Sequence, residues 1–329
     1  MSPDRPKVFI SRIIPEDGLK PIRQATEARI WGDDVPPPRD VLLEFIAGCD
    51  GVVTLLTDRV DDEFLDAAGS QLKVVSNYAV GFDNVDVPAC TKRGIPVGNT
   101  PGVLTETTAD LAFALLMAAA RRIDEGSRYV RGGRWKTWGP MLLMGVDLHG
   151  ATLGIVGFGR IGREMAKRAS GFGMKVVYHD VHPATPDEER ALNARRVEMD
   201  ELLASSDMVS LHTNLTDETR HLINASALAR MKRTAVLVNT SRGPVVDQAA
   251  LYEALRDGQI FAAALDVTDP EPMAPDDPLL SCENCLVVPH IASASRVTRG
   301  KMAAIAAANL LAGLRGDPLP SCVNPEVYT

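Results

Sequence analysis

The chain has 329 residues, of which 45% are hydrophobic and 24% charged, with a formal net charge of -8. That length suits about two globular domains. The acidic balance gives no support for binding nucleic acid or an anionic membrane surface, so a small anionic substrate requires a locally placed cation.

Five scattered cysteines, an odd number, do not suggest a disulfide framework. Cys282 and Cys285 form a CxxC with no second pair to complete a zinc site, which reads as a turn before a strand, and no metal is expected. The opening MSPDRPKVFI lacks the regions of a signal peptide, and the longest apolar run, residues 111–120, is too short to span a bilayer. A cytoplasmic protein without membrane contact is expected.

In chain order, the pattern predicts a strand over 7–11, a helix over 15–26, a strand over 28–31 and a proline-rich turn at 33–38. A helix over 41–47, a strand over 51–56, a helix over 61–68 and a strand over 72–76 follow. Strands alternating with helices make this a parallel α/β lobe. After it comes NYAVGFDNVD, residues 77–86, whose turn at Val80 and Gly81 leaves backbone N–H groups beyond a strand's carboxyl end. They could hold an anion, or form an ordinary glycine turn.

Residues 102–122 read as one long, largely apolar helix buried between domains or subunits. The following RGGRWKTWGPMLLMGVDLHG places Trp135 and Trp138 on an irregular loop, where they either form an interface patch or pack beneath their own chain.

The stretch LGIVGFGRIGREMAKRASGFGMKVVYHD, residues 153–180, reads as strand, glycine turn, helix, strand. Gly157 permits the tight turn, Gly159 lets a pyrophosphate approach bare backbone, and Gly162 lets the helix pack on the strand. Amides at the helix start, at Arg160 and Ile161, face the phosphates. Asp180, ending the second strand, can accept hydrogen bonds from ribose hydroxyls and would repel a 2′-phosphate, which points to NAD rather than NADP.

Further strands are expected over 175–178, 208–212, 235–239, 261–267 and 286–289, a helix over 247–256 and a last helix over 303–314. Thr213, Thr240 and Asp266 fall at strand ends on the cofactor side; Asp266 either contacts the nicotinamide or simply ends its strand. Arg242 in NTSRGPVVD, Glu271 in DVTDPEP and His290 in VVPHIAS follow three strand ends, which in a doubly wound sheet share the edge carrying the glycine turn. Reducing a 2-keto acid requires a hydride donor, a cation for the carboxylate and an acid for the carbonyl oxygen. NADH, Arg242 and His290 fill these roles, with Glu271 orienting His290 and favouring its imidazolium form. His149, His179, His182, His212 and His221 lack such company and read as structural.

With their order and spacing, LGIVGFGRIG, NTSRGPVVD, ALDVTDPEP and VVPHIASAS resemble the D-isomer-specific 2-hydroxyacid dehydrogenase family, from about residue 7 to the tail. NYAVGFDNVD and TPGVLTETTADLAFALLMAAARR match its carboxylate-binding turn and interdomain helix. RWKTWGPMLLMGVDLHGATLGIVG points to the glyoxylate/hydroxypyruvate reductase branch. The resemblance implies a two-lobed α/β fold: a Rossmann-type doubly wound parallel sheet over residues 101–291, and a flavodoxin-like, discontinuous substrate domain over 1–100 and 292–329, with the active site between lobes. It implies a homodimer formed through the nucleotide domain, with Trp138 reaching the neighbour's substrate pocket. It places Arg242, Glu271 and His290 on the substrate-binding arginine, orienting glutamate and proton-donating histidine, and Val80 and Gly81 on the carboxylate site.

Asn214 stands where the family usually has proline, and Val80 where phosphite dehydrogenases carry lysine. Asp180 departs from the Ser-Arg or Gly-Arg pairs of NADPH-using members, although His179 and His182 could weakly offset its charge. The expected activity is NADH-dependent reduction of glyoxylate or hydroxypyruvate. The alternatives are a dehydrogenase of another D-2-hydroxy acid, of D-lactate or phosphoglycerate type, and, from another class, an NAD-sensing scaffold that binds partner peptides. The lack of extra tails and basic patches favours the enzyme.

Overall fold

The computed structural model describes residues 5–329; residues 1–4, the start of the stretch inspected for a signal peptide, lie outside the described residues. The chain divides into two compact units, residues 1–104 with 294–329, and residues 105–293. Both carry parallel sheets flanked by helices, the α/β class expected from the sequence.

The first unit runs β1 (Lys7–Ile10), α1 (Glu16–Ala25), β2 (Glu27–Ile30), α2 (Arg39–Ile46), β3 (Gly51–Thr54), α3 (Asp62–Ala68), β4 (Val74–Asn77), α4 (Val87–Lys92) and β5 (Val97–Gly98). Its sheet order is β2-β1-β3-β4-β5. Successive side chains of a strand face opposite ways, so Val8 and Ile10 join one core and Phe9 the other. Both faces being covered, the inner strands β3 and β4 are buried along their whole length rather than alternately. Strand order reverses between β1 and β3, and a cavity of about 600 Å³ opens there, lined by Ile14, Leu55, Tyr78, Arg296 and Arg299 among others.

The second unit runs α5 (Thr105–Ala120), α6 (Ile123–Arg131), β6 (Thr152–Val156), α7 (Arg160–Ser170), β7 (Lys175–His179), α8 (Pro186–Leu192), β8 (Ala194–Arg196), α9 (Met199–Ser205), β9 (Met208–Leu211), α10 (Ala225–Arg230), β10 (Val236–Asn239), α11 (Gln248–Arg256), β11 (Ala262–Leu265) and β12 (Cys285–Val287). All neighbours are parallel in the order β12-β11-β10-β9-β6-β7-β8. Leu153, Ile155, Val236 and Val238 pack under α5 and α7, while Val156, Val209 and Leu237 pack under α9, α10 and α11. The Cys282 carbonyl accepts from the Cys285 amide at 3.1 Å, so this CxxC is a turn leading into β12. Burial pushes the Cys285 thiol up to about 12, so it is a packing residue and not a thiolate.

One expected helix is α5, which ends at Ala120; Arg122 then turns left-handed at φ 52° and a further helix that the sequence did not announce, α6, begins. The break is held by the Arg122 guanidinium, which donates to both oxygens of buried Glu125 at 2.7 and 2.8 Å. The last helix, α12 (Arg296–Arg315), starts seven residues before the expected 303, because Ser295 caps it by accepting from the Thr298 amide at 3.1 Å. α12 belongs to the first unit and packs on α1 and β4. No helix among the described residues is long and apolar enough to cross a membrane.

His212, just past β9, pairs Nε2 with the Ser210 hydroxyl at 2.8 Å, while Nδ1 is shut from solvent without a partner among the described residues. Burial lowers its pKa from 6.5 to about 4 although an edge of the residue remains accessible. The folded state therefore favours neutral imidazole, and this stability is present above pH 6.5 and lost as pH falls towards 4, where the unfolded chain protonates first. The loss is at most about 3 kcal/mol at 1.36 kcal/mol per unit. Urea titrations of wild type and His212→Gln between pH 7 and 4 check this: the stability difference should shrink with falling pH, and a constant difference contradicts it.

Candidate functional site

The glycine turn after β6 shows three different uses of a missing side chain. Gly157 sits at φ 88°, and a Cβ there would come within 2.6 Å of the His212 carbonyl and 2.8 Å of the Thr213 amide nitrogen. At Gly162 a Cβ would come within 2.2 Å of the Gly157 carbonyl oxygen, which is how α7 packs onto the turn. A Cβ on Gly159 would meet nothing within 4 Å. The first and third glycines are thus required by packing, whereas the second faces open space.

Helix α7 begins at Arg160 with no side-chain cap and no acidic residue in its first turn, so its leading amides, including Arg160 and Ile161, remain available to an anion. Asp180 accepts from the Phe158 amide at 2.6 Å and the His182 amide at 2.7 Å. One carboxylate thereby ties the turn to the end of β7 while retaining lone pairs for hydroxyl donors. The Phe158 ring stacks on Tyr178 with centroids 4.0 Å apart, anchoring the turn from below. The buried Thr240 hydroxyl, after β10, has no partner among the described residues. These are the features a bound dinucleotide would satisfy, and the residues fit one. Thr213 and Thr219 both donate to the Asn214 carbonyl, at 3.4 and 2.7 Å, so hydroxyls shape the loop around Asn214.

On the same edge, Glu271 and His290 are brought together: Glu271 Oε1 lies 2.5 Å from His290 Nδ1. This leaves Nε2 for another partner. His290 adopts φ 52°, uncommon for a residue with a side chain and a form of strain concentrated at functional sites. Asp266 maintains it. Its carbonyl accepts from the His290 amide at 2.9 Å, and its carboxylate accepts from the amides of Ile291 at 2.6 Å and Ala292 at 2.9 Å. Burial holds the Asp266 carboxyl above the usual carboxylate range, opposed by these two amides and by nearby His290. Asp266 thus does more than end its strand.

Arg242 follows β10, where buried Asn239 organises the loop. Its Nδ2 donates to the Arg242 carbonyl at 2.8 Å, and its Oδ1 accepts from the Ser241 amide and hydroxyl at 3.0 and 2.8 Å. A Cβ on Gly243 would come within 1.9 Å of the Thr268 carbonyl oxygen, so the loops carrying Arg242 and Glu271 lie in backbone contact. Sequence reasoning treated Asn239 only as a strand end; its signal was an amide closing an otherwise apolar strand.

In the first unit, the turn after β4 has its carbonyls occupied and its amides open. The carbonyls of Ala79, Val80 and Gly81 accept from the Thr100 amide (2.9 Å), Asn99 Nδ2 (2.9 Å) and Asn77 Nδ2 (3.0 Å). The amides of Val80 and Gly81 donate to no group among the described residues. Trp138, by contrast, is 78% exposed, with Trp135, Met141 and Met144 also exposed on the same segment. Neither tryptophan is therefore packed beneath its own loop. A smaller cavity of about 290 Å³, lined by Arg122, Glu125, Phe261 and Asn284 among others, opens at the opposite, amino-terminal ends of β11 and β12, away from the site.

The sequence profile of the D-isomer specific 2-hydroxyacid dehydrogenase NAD binding domain matches residues 113–292. A glyoxylate reductase of Korarchaeum cryptofilum is 55% identical over 324 residues, covering 98% of this chain and 97% of that protein. One from Thermococcus litoralis is 50% identical over 329 residues, covering 99% and 98%. The crystal structure of a protein from Thermus thermophilus, 48% identical, superposes with a TM-score of 0.90 over 96% of this chain and 99% of that one.

The glycines generate a contrast that can be measured. Gly162→Ala should cost about 1–3 kcal/mol of stability through overpacking. Gly159→Ala should leave the melting temperature unchanged yet weaken NADH binding at least tenfold; unaltered binding would remove the turn from the cofactor site.

Proposed function

Because the chain belongs to the D-isomer-specific 2-hydroxyacid dehydrogenase family, we propose that it reduces glyoxylate and hydroxypyruvate with NADH. The observation that carries this reading is the Glu271–His290 pair at 2.5 Å, on the sheet edge that also bears the NAD-binding glycine turn. NADH, when bound, supplies the hydride for the keto carbon. His290, held through Nδ1, presents Nε2 to the carbonyl oxygen and gives up its proton as negative charge develops there. Glu271 fixes the ring and stabilises the imidazolium before transfer. In the oxidative direction neutral His290 takes the proton back.

Arg242 provides planar paired donors for the carboxylate and carbonyl of the keto acid, and the amides of Val80 and Gly81 supply further donors to the carboxylate. The cofactor is held by the amides at Gly159, Arg160 and Ile161, by the Thr213 and Thr240 hydroxyls, and by Asp180 at the ribose. Asp266 serves the nicotinamide end with a remaining lone pair while it braces the His290 loop. Asp180 makes NADH the preferred form, since a 2′-phosphate beside a carboxylate is repelled.

We further propose a cytoplasmic homodimer, supported by the exposed apolar segment around Trp135, Trp138 and Met141, with Trp138 contributing to the partner subunit's pocket.

Steady-state kinetics on two variants test the assignment. His290→Ala should lose about 10²- to 10⁴-fold in kcat while binding NADH normally, and near-normal turnover would remove it as the acid. Arg242→Ala should chiefly raise KM for the keto acid, by about a hundredfold.

A further inference from the structure

A trans peptide is planar, with its C=O and the following N–H pointing opposite ways. Fixing one carbonyl oxygen therefore aims the next amide. The three bonds to the carbonyls of Ala79, Val80 and Gly81 thus aim the amides of Val80, Gly81 and Phe82, and none of these three donates to a group among the described residues. Two of the three bonds come from side-chain carboxamides, Asn99 for Gly81 and Asn77 for Phe82.

Both carboxamides are themselves braced. Asn99 Oδ1 accepts from the Ser321 hydroxyl at 3.2 Å, and its carbonyl accepts from Asn309 Nδ2 at 2.9 Å. Asn309 Oδ1 accepts in turn from the Ser321 amide at 3.0 Å. Asn309 is fully buried in the middle of α12, where a carboxamide is costly unless every polar atom is used. Asn77 Oδ1 accepts from the Thr54 hydroxyl at 3.1 Å, and its Nδ2 also donates to Asn84 Oδ1 at 3.1 Å.

We infer that Asn99 and Asn77 are positioning residues that aim the amides of Gly81 and Phe82 at the substrate carboxylate, with Asn309 and Ser321 carrying the brace from α12 and the tail. The inference rests on the reading of this turn as the carboxylate site. It adds Phe82 as a third donor. With the oxygens tied, the donors require no reorientation when an anion arrives. The carboxylate keeps its charge through hydride transfer, so loosening the donors weakens ground and transition states alike: KM rises and kcat holds.

The test compares wild type, Asn99→Ala and Ser321→Ala as full-length protein with saturating NADH, reading KM and kcat for glyoxylate. Amide resonances of Val80, Gly81 and Phe82 are followed during titration with oxalate, an unreactive anion. In wild type these resonances should shift on adding oxalate. Asn99→Ala should raise KM and the oxalate Kd about five- to twentyfold, with kcat and NADH affinity within about twofold. Ser321→Ala, which removes one brace from Asn99, should raise KM about two- to fivefold and decides the matter should Asn99→Ala not fold. Shifted resonances in wild type with unchanged KM in the variants overturn the positioning role and leave the carboxylate reading standing. Resonances that stay still in wild type overturn both.

Discussion

The site in the second unit depends on one constraint: its seven strands all run the same way. Parallel pairing sends every carboxyl end to one edge, so residues distant in sequence, at Gly157, Asp180, Thr240, Asp266 and His290, emerge side by side without any of them having to seek another. The order reverses between β6 and β9, and there no helix crosses the edge. Gly157 fills that gap against the backbone of His212 and Thr213, and the free start of α7 looks into it.

What this edge holds is stiff in different ways for different jobs. The cofactor turn is fixed by packing, with a glycine hydrogen touching backbone where any side chain would collide. His290 is fixed by hydrogen bonds that sustain a strained backbone, with Asp266 accepting from its amide and from the two amides that follow. In the first unit, tied carbonyls leave paired amides open after β4. In each case the polar group offered to a ligand is the one that the fold leaves unused while using its neighbours fully, which is the physical meaning of preorganisation.

Much of this was legible in the chain. The 153–180 unit declares itself because strand, glycines, helix and acidic end each carry an independent signal, and counting strand ends put Glu271 and His290, which the structure pairs, on one edge. The restart of the chain as α6 after Arg122 was not legible, because its turn depends on a guanidinium folding onto a buried glutamate three residues later, a contact that no local pattern reports. The early start of α12 was hidden by the polar run RVTRGK, whose cap at Ser295 is a short signal without apolar periodicity. Asn77, Asn99 and Asn309 escaped because a carboxamide's role depends on partners up to 222 residues away, and no pattern within a window reports those.

The central claim is that the edge around the Glu271–His290 pair is built for hydride reduction of a small 2-keto acid by NADH. The most direct measurement is the initial rate of reduced-nicotinamide oxidation by purified protein with glyoxylate, hydroxypyruvate, pyruvate and phosphohydroxypyruvate, each with NADH and with NADPH. The account predicts fast turnover of glyoxylate or hydroxypyruvate with NADH and markedly slower turnover with NADPH. Tight NADH binding without turnover of any of the four acids would contradict it.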